Sequence, residues 1–451
     1  MHVRGKAIFM EDKSAKRSSL LKRLALWTVP TLLVAAAAVY CFQLYQSHAA
    51  WKAEIRRIEG RGEPVRSADL AIKLDNPQDD AGPLLLEAIG ALQEPEQAYL
   101  QLMTAETPTR AGAHGPLRDE LQANQKSREL IAQAVARPHC RLLVDASAGD
   151  PRRSKILKCR ALSDLLHAEV LWSLGTGEDQ AAFSSTIQGF QSARLVGEES
   201  LTESRFTAIA MQNTSLNSLA ELLSGGKITP ADFLALDGEL SRAASDCRCQ
   251  PTLIAIRTYL IDGTALPRIR EAISMPGAPA WIAWCKRVLS EPQVIDNAVY
   301  WIQMLSELAA ISDQPGLDNP DIRDWQQRVA QSSFLYVKPY LAAAPQLRGP
   351  ILAMRQRFIL ARWALRVDRF YRQNGRFPAE LSQVCDAECR IVAPDLLFGQ
   401  PLVLETYERG FVIRIETEEH SSQEFVKNCR FEVTYPATGD LQDTSDVSTQ
   451  E

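Results

Sequence analysis

The sequence predicts a mostly α fold: an N-terminal transmembrane helix, an irregular array of antiparallel helical hairpins, and a small C-terminal antiparallel β-sheet. Three observations lead there. Leu24 to Leu44 (LALWTVPTLLVAAAAVYCFQL) is a long apolar run without a charge. From Ser67 to Gln373 apolar residues recur at helical spacing between Gly- and Pro-marked breaks, and beyond Val384 the period falls to two, the spacing of half-buried strands. The expected segments are a basic tail (1–23), the span (24–44), a helical ectodomain (45–384), a β-rich module (385–436) and a disordered acidic tail (437–451).

The span comes first because it decides compartment and redox environment. At about 1.5 Å per residue, roughly 20 apolar helical residues cross a hydrocarbon core about 30 Å thick. Arg4, Lys6, Lys13, Lys16, Arg17, Lys22 and Arg23 precede the run, against Glu11 and Asp12, whereas Lys52, Arg56 and Arg57 follow it. That asymmetry predicts an N-terminus in the cytosol and the bulk of the chain on the far face of the membrane. Trp27, Tyr40, Tyr45 and Trp51 fit interfacial belts. A cleaved signal peptide is the competing reading, with Ala35 to Ala38 imitating a cleavage site, but such a leader has a shorter apolar core.

Trp51 to Ile58 continues as helix until Gly60, Gly62 and Pro64 break it. Ser67 to Leu74 predicts a short helix. Pro83 to Met103, Pro116 to Ala136, Ser154 to Leu174, Asp179 to Leu195 and Leu201 to Leu223 predict longer ones. Thr229-Pro230 reads as a helix entry, with Thr229 capping and Pro230 at the first helical position. Thr252 to Leu260, Leu266 to Ser274, Val294 to Ile311 and Trp325 to Leu341 continue the array, and Ile351 to Gln373 is its clearest amphipathic helix. Asn374-Gly375 stops that helix and Pro378 restarts a short one to Val384. LVLET and FVIRIET then read as a hairpin about Tyr407 to Gly410, with Phe425, Cys429, Phe431, Val433 and Tyr435 on one face of a third strand. Hairpins with short Gly-bearing turns suggest a solenoid, but no motif recurs at a fixed period, so the array reads as irregular.

The tail to Arg23 has a net charge of +5 and the whole chain −5, which leaves −10 on the remainder. An acidic ectodomain argues against nucleic acid as a partner, because phosphate binding needs basic surface. Eight of nine cysteines lie beyond the span: Cys140, Cys159, Cys247, Cys249, Cys285, Cys385, Cys389 and Cys429. An even number in an oxidising compartment predicts disulfides, in three neighbourhoods: Cys140 with Cys159, Cys247 or Cys249 with Cys285, and Cys385 or Cys389 with Cys429. Cys247-Arg248-Cys249 is too tightly spaced for the usual zinc knuckle.

Candidate chemistry is sparse. His139 beside Cys140 is the most suggestive pair, since an oriented imidazole can activate a thiol, although adjacent side chains seldom aim at one another. His167, between Leu166 and Val170 on a predicted helix, reads as a packed core histidine. Glu198-Glu199 and Glu418-Glu419 read as solvated surface. Arg355, Arg362, Arg366 and Arg369 fall within about 60° of one another at 100° per residue, opposite Phe358 and Leu365. Such a stripe either receives an anionic partner or pairs with acids on a neighbouring helix. No nucleophile elbow, zincin, phosphate-loop or dinucleotide motif is written in the chain, and no cofactor or metal is expected.

Tyr371, Asn374, Gly375, Arg376, Phe377 and Pro378, followed by Asp395, Gly399 and Pro401, resemble the end of the type II secretion major pseudopilins. There a long helix runs into a Tyr-x-x-x-Asn-Gly-x-Tyr/Phe-Pro turn and a strand segment. The resemblance covers about eighty C-terminal residues; unlike a pilin, this chain carries its apolar helix far upstream of the motif. The anchor, the turn Gly62 to Pro64, the stretch LLHAEVLWSLGTGEDQAAF and the NGRFP module together resemble uncharacterised membrane-anchored helical proteins of planctomycete-type bacteria. That likeness implies architecture and location and supplies no chemistry. The expected function is a non-enzymatic single-pass envelope protein, held to the lipid bilayer through residues 24–44, whose helical ectodomain is a scaffold for a protein partner. The alternatives are an accessory component of a pilin-like or secretion apparatus, and an enzyme of unrecognised class.

Overall fold

The structure is a computed structural model that describes residues 7–70, 72–95, 114–142, 153–199, 201–264, 288–334, 336–384, 396–416 and 429–435, with 267, 269, 282 and 286. Of residues 7–27, 29, 114, 153, 154 and 264 it describes the backbone alone. It is mostly helical (74%) with a three-stranded antiparallel sheet near the C-terminus. In chain order the elements are α1 (Ala7–Gly60), α2 (Gly82–Ala91), α3 (His114–Ala123), α4 (Gln125–Val135), the single turn α5 (Arg153–Ile156), α6 (Cys159–Thr176), α7 (Asp179–Gly197), α8 (Thr202–Gly225), α9 (Pro230–Asp246) and α10 (Gln250–Tyr259). They continue with α11 (Glu291–Ile311), α12 (Pro320–Gln331), α13 (Lys338–Ala343), α14 (Arg348–Asn374), β1 (Leu402–Tyr407), β2 (Gly410–Ile415) and β3 (Arg430–Thr434).

The chain divides into two compact units, Met1–Glu63 with Gly263–Gln303 and Phe334–Val337, and Pro64–Asp262 with Met304–Ser333 and Lys338–Glu451. In the first, α1 is a 54-residue helix with Pro30 inside it. Among the described residues no helix is long and apolar enough to cross a membrane. The transmembrane helix expected at Leu24 to Leu44 is therefore not supported: described side chains begin at Thr28, omit Val29, and the run from Pro30 gives way to Gln43, Gln46 and His48. Within this unit Tyr40 Oη donates to Val288 O at 2.6 Å, Gln303 Nε2 donates to Glu54 Oε2 at 3.2 Å, and Tyr300 stacks on Phe334 at 4.3 Å.

In the second unit α6, α7 and α8 pack on one another, α2 packs on α4, and α9 packs on α14. The apolar stripes of α2, α4, α6, α7 and α8 make a common core that includes Leu85, Ile131, Leu162, Leu195 and Met211. A Cβ at Gly189 of α7 would lie 2.7 Å from Ser215 Oγ of α8, so this close helix approach requires glycine. The helix expected over Pro116 to Ala136 is two, α3 and α4. Asn124 between them has φ −105° and is 1% exposed; its Nδ2 donates to Glu120 Oε1 at 2.7 Å and its Oδ1 accepts the N–H of Gln93 at 2.9 Å. An Asx side chain that satisfies backbone and carboxylate groups competes with the helical ladder, which periodicity does not register. Likewise the helix expected from Pro83 ends at Ala91, and that expected over Trp325 to Leu341 is replaced by α12 and α13.

Capping follows the sequence more closely. Thr229 and Asp232 form a reciprocal capping box ahead of α9, with Pro230 in its first turn. Asn319 caps α12 through the N–H of Asp321 at 2.8 Å. Gly375, at φ +67°, ends α14 in the left-handed conformation that the Asn374-Gly375 signal predicts. The turn that follows doubles the chain back: Tyr371 stacks on Phe377 at 4.4 Å, and Phe377 meets Phe411 edge-on at 5.8 Å and Tyr435 at 5.9 Å. The strands run in the order β1-β2-β3, with Tyr407 opposite Gly410 and Ile413 opposite Phe431. Phe411, Ile413, Phe431 and Val433 are buried, and β2 and β3 pack on α14.

Two arginines of α14 cap other segments. Arg348, 3% exposed, donates to the carbonyls of Ser312 at 2.9 Å and Gly316 at 2.7 Å. Arg372 donates to Leu223 O at 2.8 Å and Gly226 O at 2.9 Å, carbonyls at the end of α8 that have no helical partner, and to Asp368 Oδ2 at 2.6 Å. Asp368 is fully buried and also accepts the hydroxyl of Tyr435, just beyond β3. Asp368→Ala leaves both donors without their acceptor. Urea denaturation monitored by circular dichroism is expected to show a loss of about 2–3 kcal/mol, against about 1 kcal/mol for Tyr435→Phe.

Candidate functional site

A cluster of charged side chains sits where α7 and α9 end and α8 and α10 begin. The segment around Asp80 and His139 fixes its position. Asp80 Oδ1 accepts the N–H of Gly82 at 2.9 Å and of Arg141 at 2.8 Å, and Ala81 N donates to His139 O at 2.7 Å. The strand-like bridge between Asp80 and His139 pins the segment that carries His139 and Cys140. Cys140 N then donates to Glu198 Oε2 at 2.9 Å, while Arg194 donates to Glu198 Oε1 at 3.2 Å and His139 Nδ1 lies 3.9 Å from Glu198 Oε2.

Glu198 and Glu199 are thus not the solvated surface expected from sequence: Glu199 is buried and burial raises the Glu198 carboxyl above its usual range, opposed by the Cys140 N–H, Arg194 and His139. Two acids directly after a helix C-terminus run against the macrodipole, an unfavourable placement that the donors from Cys140 and Arg194 offset.

The adjoining cleft has a volume of 500 Å³ and is walled by Arg194, Glu198, Arg205, Gln212, Asp246 and Arg248. Arg205 is 7% exposed; its Nη1 donates to Asp246 O at 3.1 Å, and its Nε is buried with no hydrogen-bond partner among the described residues. Gln212, 4% exposed, has its Oε1 in the same condition. Seven residues apart on α8, the two groups share a face and are separated by about 10 Å along the axis. One wall therefore offers a buried donor and a buried acceptor, each costing about 1–3 kcal/mol while unsatisfied. Arg194 and Arg248 stand at the rim against Glu198 and Asp246. Neither Arg205 nor Gln212 carried a sequence signal, because each is an isolated polar residue in an otherwise ordinary amphipathic helix.

The other sequence candidates are distributed. Cys140 is fully buried whereas His139 is half exposed, so the pair does not form an activated nucleophile; burial first, then Glu199 and Cys159, push the Cys140 thiol well above its ordinary value. Cys140, Cys159, Cys247 and Cys249 are buried free thiols, which corrects the disulfide expected between Cys140 and Cys159. Burial pushes Cys159, Cys247 and Cys249 up to about 12. Small buried cysteines pack as apolar residues without a bond. Cys429 is buried, its Sγ 3.8 Å from Ala353 O. Cys285, Cys385 and Cys389 lie outside the described residues, and with them the pairings proposed for Cys247, Cys249 and Cys429.

The arginine stripe of α14 is put to separate uses. Arg362 forms a bidentate pair with Asp237 of α9 at 2.7 and 3.0 Å, Arg366 lies over Trp363 at 5.1 Å, Arg355 is half-buried and Arg369 is exposed. His167 hydrogen-bonds Ser218 Oγ through Nδ1 at 2.9 Å, and desolvation lowers its pKa to about 4, as a packed neutral histidine requires. Among the described residues no group of three His, Cys, Asp or Glu side chains is placed to hold a metal ion.

Two solution measurements follow from these placements. At about pH 8, iodoacetamide should leave Cys140, Cys159, Cys247 and Cys249 unmodified in the native protein and label all four in urea without reductant, as read by mass spectrometry. Labelling that needs reductant as well as urea would mean disulfides. Because the His167 pKa is lower folded than unfolded, its contribution to stability is complete above pH 6.5 and is lost as pH falls through about 4. Melting temperature against pH should therefore fall across that window, and less so in His167→Gln.

Compared with protein-family models, with curated proteins and with solved structures, the chain finds no match.

Proposed function

We propose that the chain is a non-enzymatic, membrane-attached helical protein whose second unit binds an extended peptide segment of a protein partner in the Arg205–Gln212 cleft. The observation that carries the reading is the orphaned donor and acceptor on one face of α8. An extended chain advances about 3.3 Å per residue, so a carbonyl and an N–H about three residues apart match their separation of about 10 Å. Rim charges of both signs, Arg194 and Arg248 with Glu198 and Asp246, suit a polar peptide better than an apolar ligand. Binding rather than catalysis is supported by the thiols, which burial holds protonated and therefore non-nucleophilic.

Attachment to the bilayer through residues 24–44 rests on the charge-free run itself and on Leu32, Leu33, Val34, Val39 and Phe42, each more than half exposed. Apolar side chains that no protein surface covers favour lipid as their solvent. The basic residues before the run favour an N-terminus inside and a periplasmic ectodomain at a bacterial inner membrane. A second reading, an accessory component of a pilin-like secretion apparatus, is favoured by the Tyr371–Phe377 stack, which lets the NGRFP segment close α14 onto the sheet.

The cleft is tested by a photo-crosslinking side chain at Ser245, on its rim, with one at exposed Leu234 of α9 as the control. A crosslink to a discrete partner at 245, absent at 234 and lost with Arg248→Glu, is expected in intact membranes. Equal labelling at both positions would refute the cleft as the binding surface. A C-terminal reporter active only outside the cytosol tests the orientation separately; it should be active.

A further inference from the structure

A second cavity, on an adjoining face of α8, holds a cation that makes no ion pair among the described residues. It has a volume of 410 Å³ and lies among α8, the first half of α14 and β3. Arg357 projects from α14 into its wall. The Nη1 of this side chain donates to Asn213 Oδ1, and its Nε is buried with no partner. Among the described residues no carboxylate pairs with it. Three other arginines of α14 have strong acceptors: Arg348 the loop carbonyls, Arg362 Asp237, and Arg372 Asp368 with two carbonyls. Desolvation lowers the Arg357 pKa, the mark of a cation held out of water without compensation. Such a charge is costly to hold out of water unless something anionic meets it.

The surroundings define the anion. Arg430 and Glu432 of β3 also line the cavity, and they pair loosely with each other at 4.0 Å, with Glu432 further engaged by the hydroxyl of Tyr407. Two guanidinium groups against one carboxylate leave one positive charge, which matches a monoanion and disfavours a dianion. The rest of the wall mixes the amides of Asn213 and Asn217 with apolar Leu216, Ala353, Met354 and Phe431. We infer that this cavity is a binding site for a monocarboxylate carried on a short apolar body, its carboxylate received by the Arg357 fork and its chain lying on Met354 and Leu216. Planar guanidinium and carboxylate groups pair through two parallel hydrogen bonds, and a concave wall that combines apolar side chains with placed polar groups is the ordinary form of a small-molecule site. The inference does not depend on the Arg205–Gln212 cleft, whose lining shares no residue with this cavity.

The shared chemistry could be presented by a free acid or by the C-terminus of a peptide, so two probes are used, octanoate and N-acetyl-leucine, with octanol and octyl phosphate as controls. Calorimetry on the full chain in detergent should show saturable binding of at least one carboxylate with a Kd below about 1 mM, and a matching rise in melting temperature. Octanol and octyl phosphate should bind at least about tenfold more weakly. Octanoate as the tighter probe points to a free acid and N-acetyl-leucine to a peptide terminus. Arg357→Gln should lose about tenfold or more in affinity while its far-ultraviolet circular dichroism is unchanged. If that variant does not fold, Asn217→Trp, at the exposed mouth of the cavity, should block binding in its place. The inference is overturned if neither carboxylate binds, if octanol binds as tightly, or if a folded Arg357→Gln or Asn217→Trp binds both probes as the parent chain does. Crosslinking at Ser245 should be unaffected by either substitution.

Discussion

The contact on which the second unit depends is the pair that buried Asp368 of α14 makes with Arg372. Burial raises the Asp368 carboxyl, and it stays an effective acceptor because Arg372 and the Tyr435 hydroxyl both point at it. A guanidinium so held has its other N–H groups aimed in fixed directions, and they meet Leu223 O and Gly226 O. One carboxylate thereby closes three elements together: the end of α8, the last turn of α14 and the chain leaving β3. Burying such a pair gains little over an apolar contact of the same shape. What it supplies is a directional constraint that a contact between apolar side chains does not.

Both cavities follow from that constraint. With α8 fastened at its C-terminal end to α14, one face of α8 closes against α6 and α7, where Gly189 admits Ser215. Polar residues at other angles of α8 are left in clefts rather than in water. Arg205 and Gln212 look into one, and Asn213 and Asn217 line the other. Each cavity contains a group that folding desolvates without repaying, Arg205 Nε with Gln212 Oε1 in one and Arg357 Nε in the other. Both linings carry one positive charge in excess, three arginines against two carboxylates in the Glu198 cleft and two against one in the Arg357 cavity. They differ in where that charge sits: Arg205 donates to Asp246 O, whereas Arg357 reaches only the amide of Asn213.

Cysteine chemistry and compartment are separable here. An outward orientation made disulfides the natural expectation for eight cysteines, yet Cys140, Cys159, Cys247 and Cys249 pack as buried thiols. Their environment explains this. Each sits among apolar or hydrogen-bonded neighbours, as with Cys247 Sγ against Ile351 O at 3.5 Å, and burial suppresses the thiolate through which oxidation would proceed.

The helical class, the order of the hairpins, the capping of α9 by Thr229, the stop at Gly375 and the β1–β2 hairpin were all legible in the chain, because each is decided within a few residues by periodicity or by a cap. The interruption at Asn124, the burial of Glu198 and the separate fates of the α14 arginines were not. These depend on partners far along the sequence: Asn213 lies 144 residues from Arg357, and Asp237 lies 125 from Arg362. A helical stripe states which residues share a face. Only the packed neighbours decide whether a charge on that face meets a carboxylate, a carbonyl, an aromatic ring or an empty cleft, since a charge's energy is set by what surrounds it and not by its place in the chain.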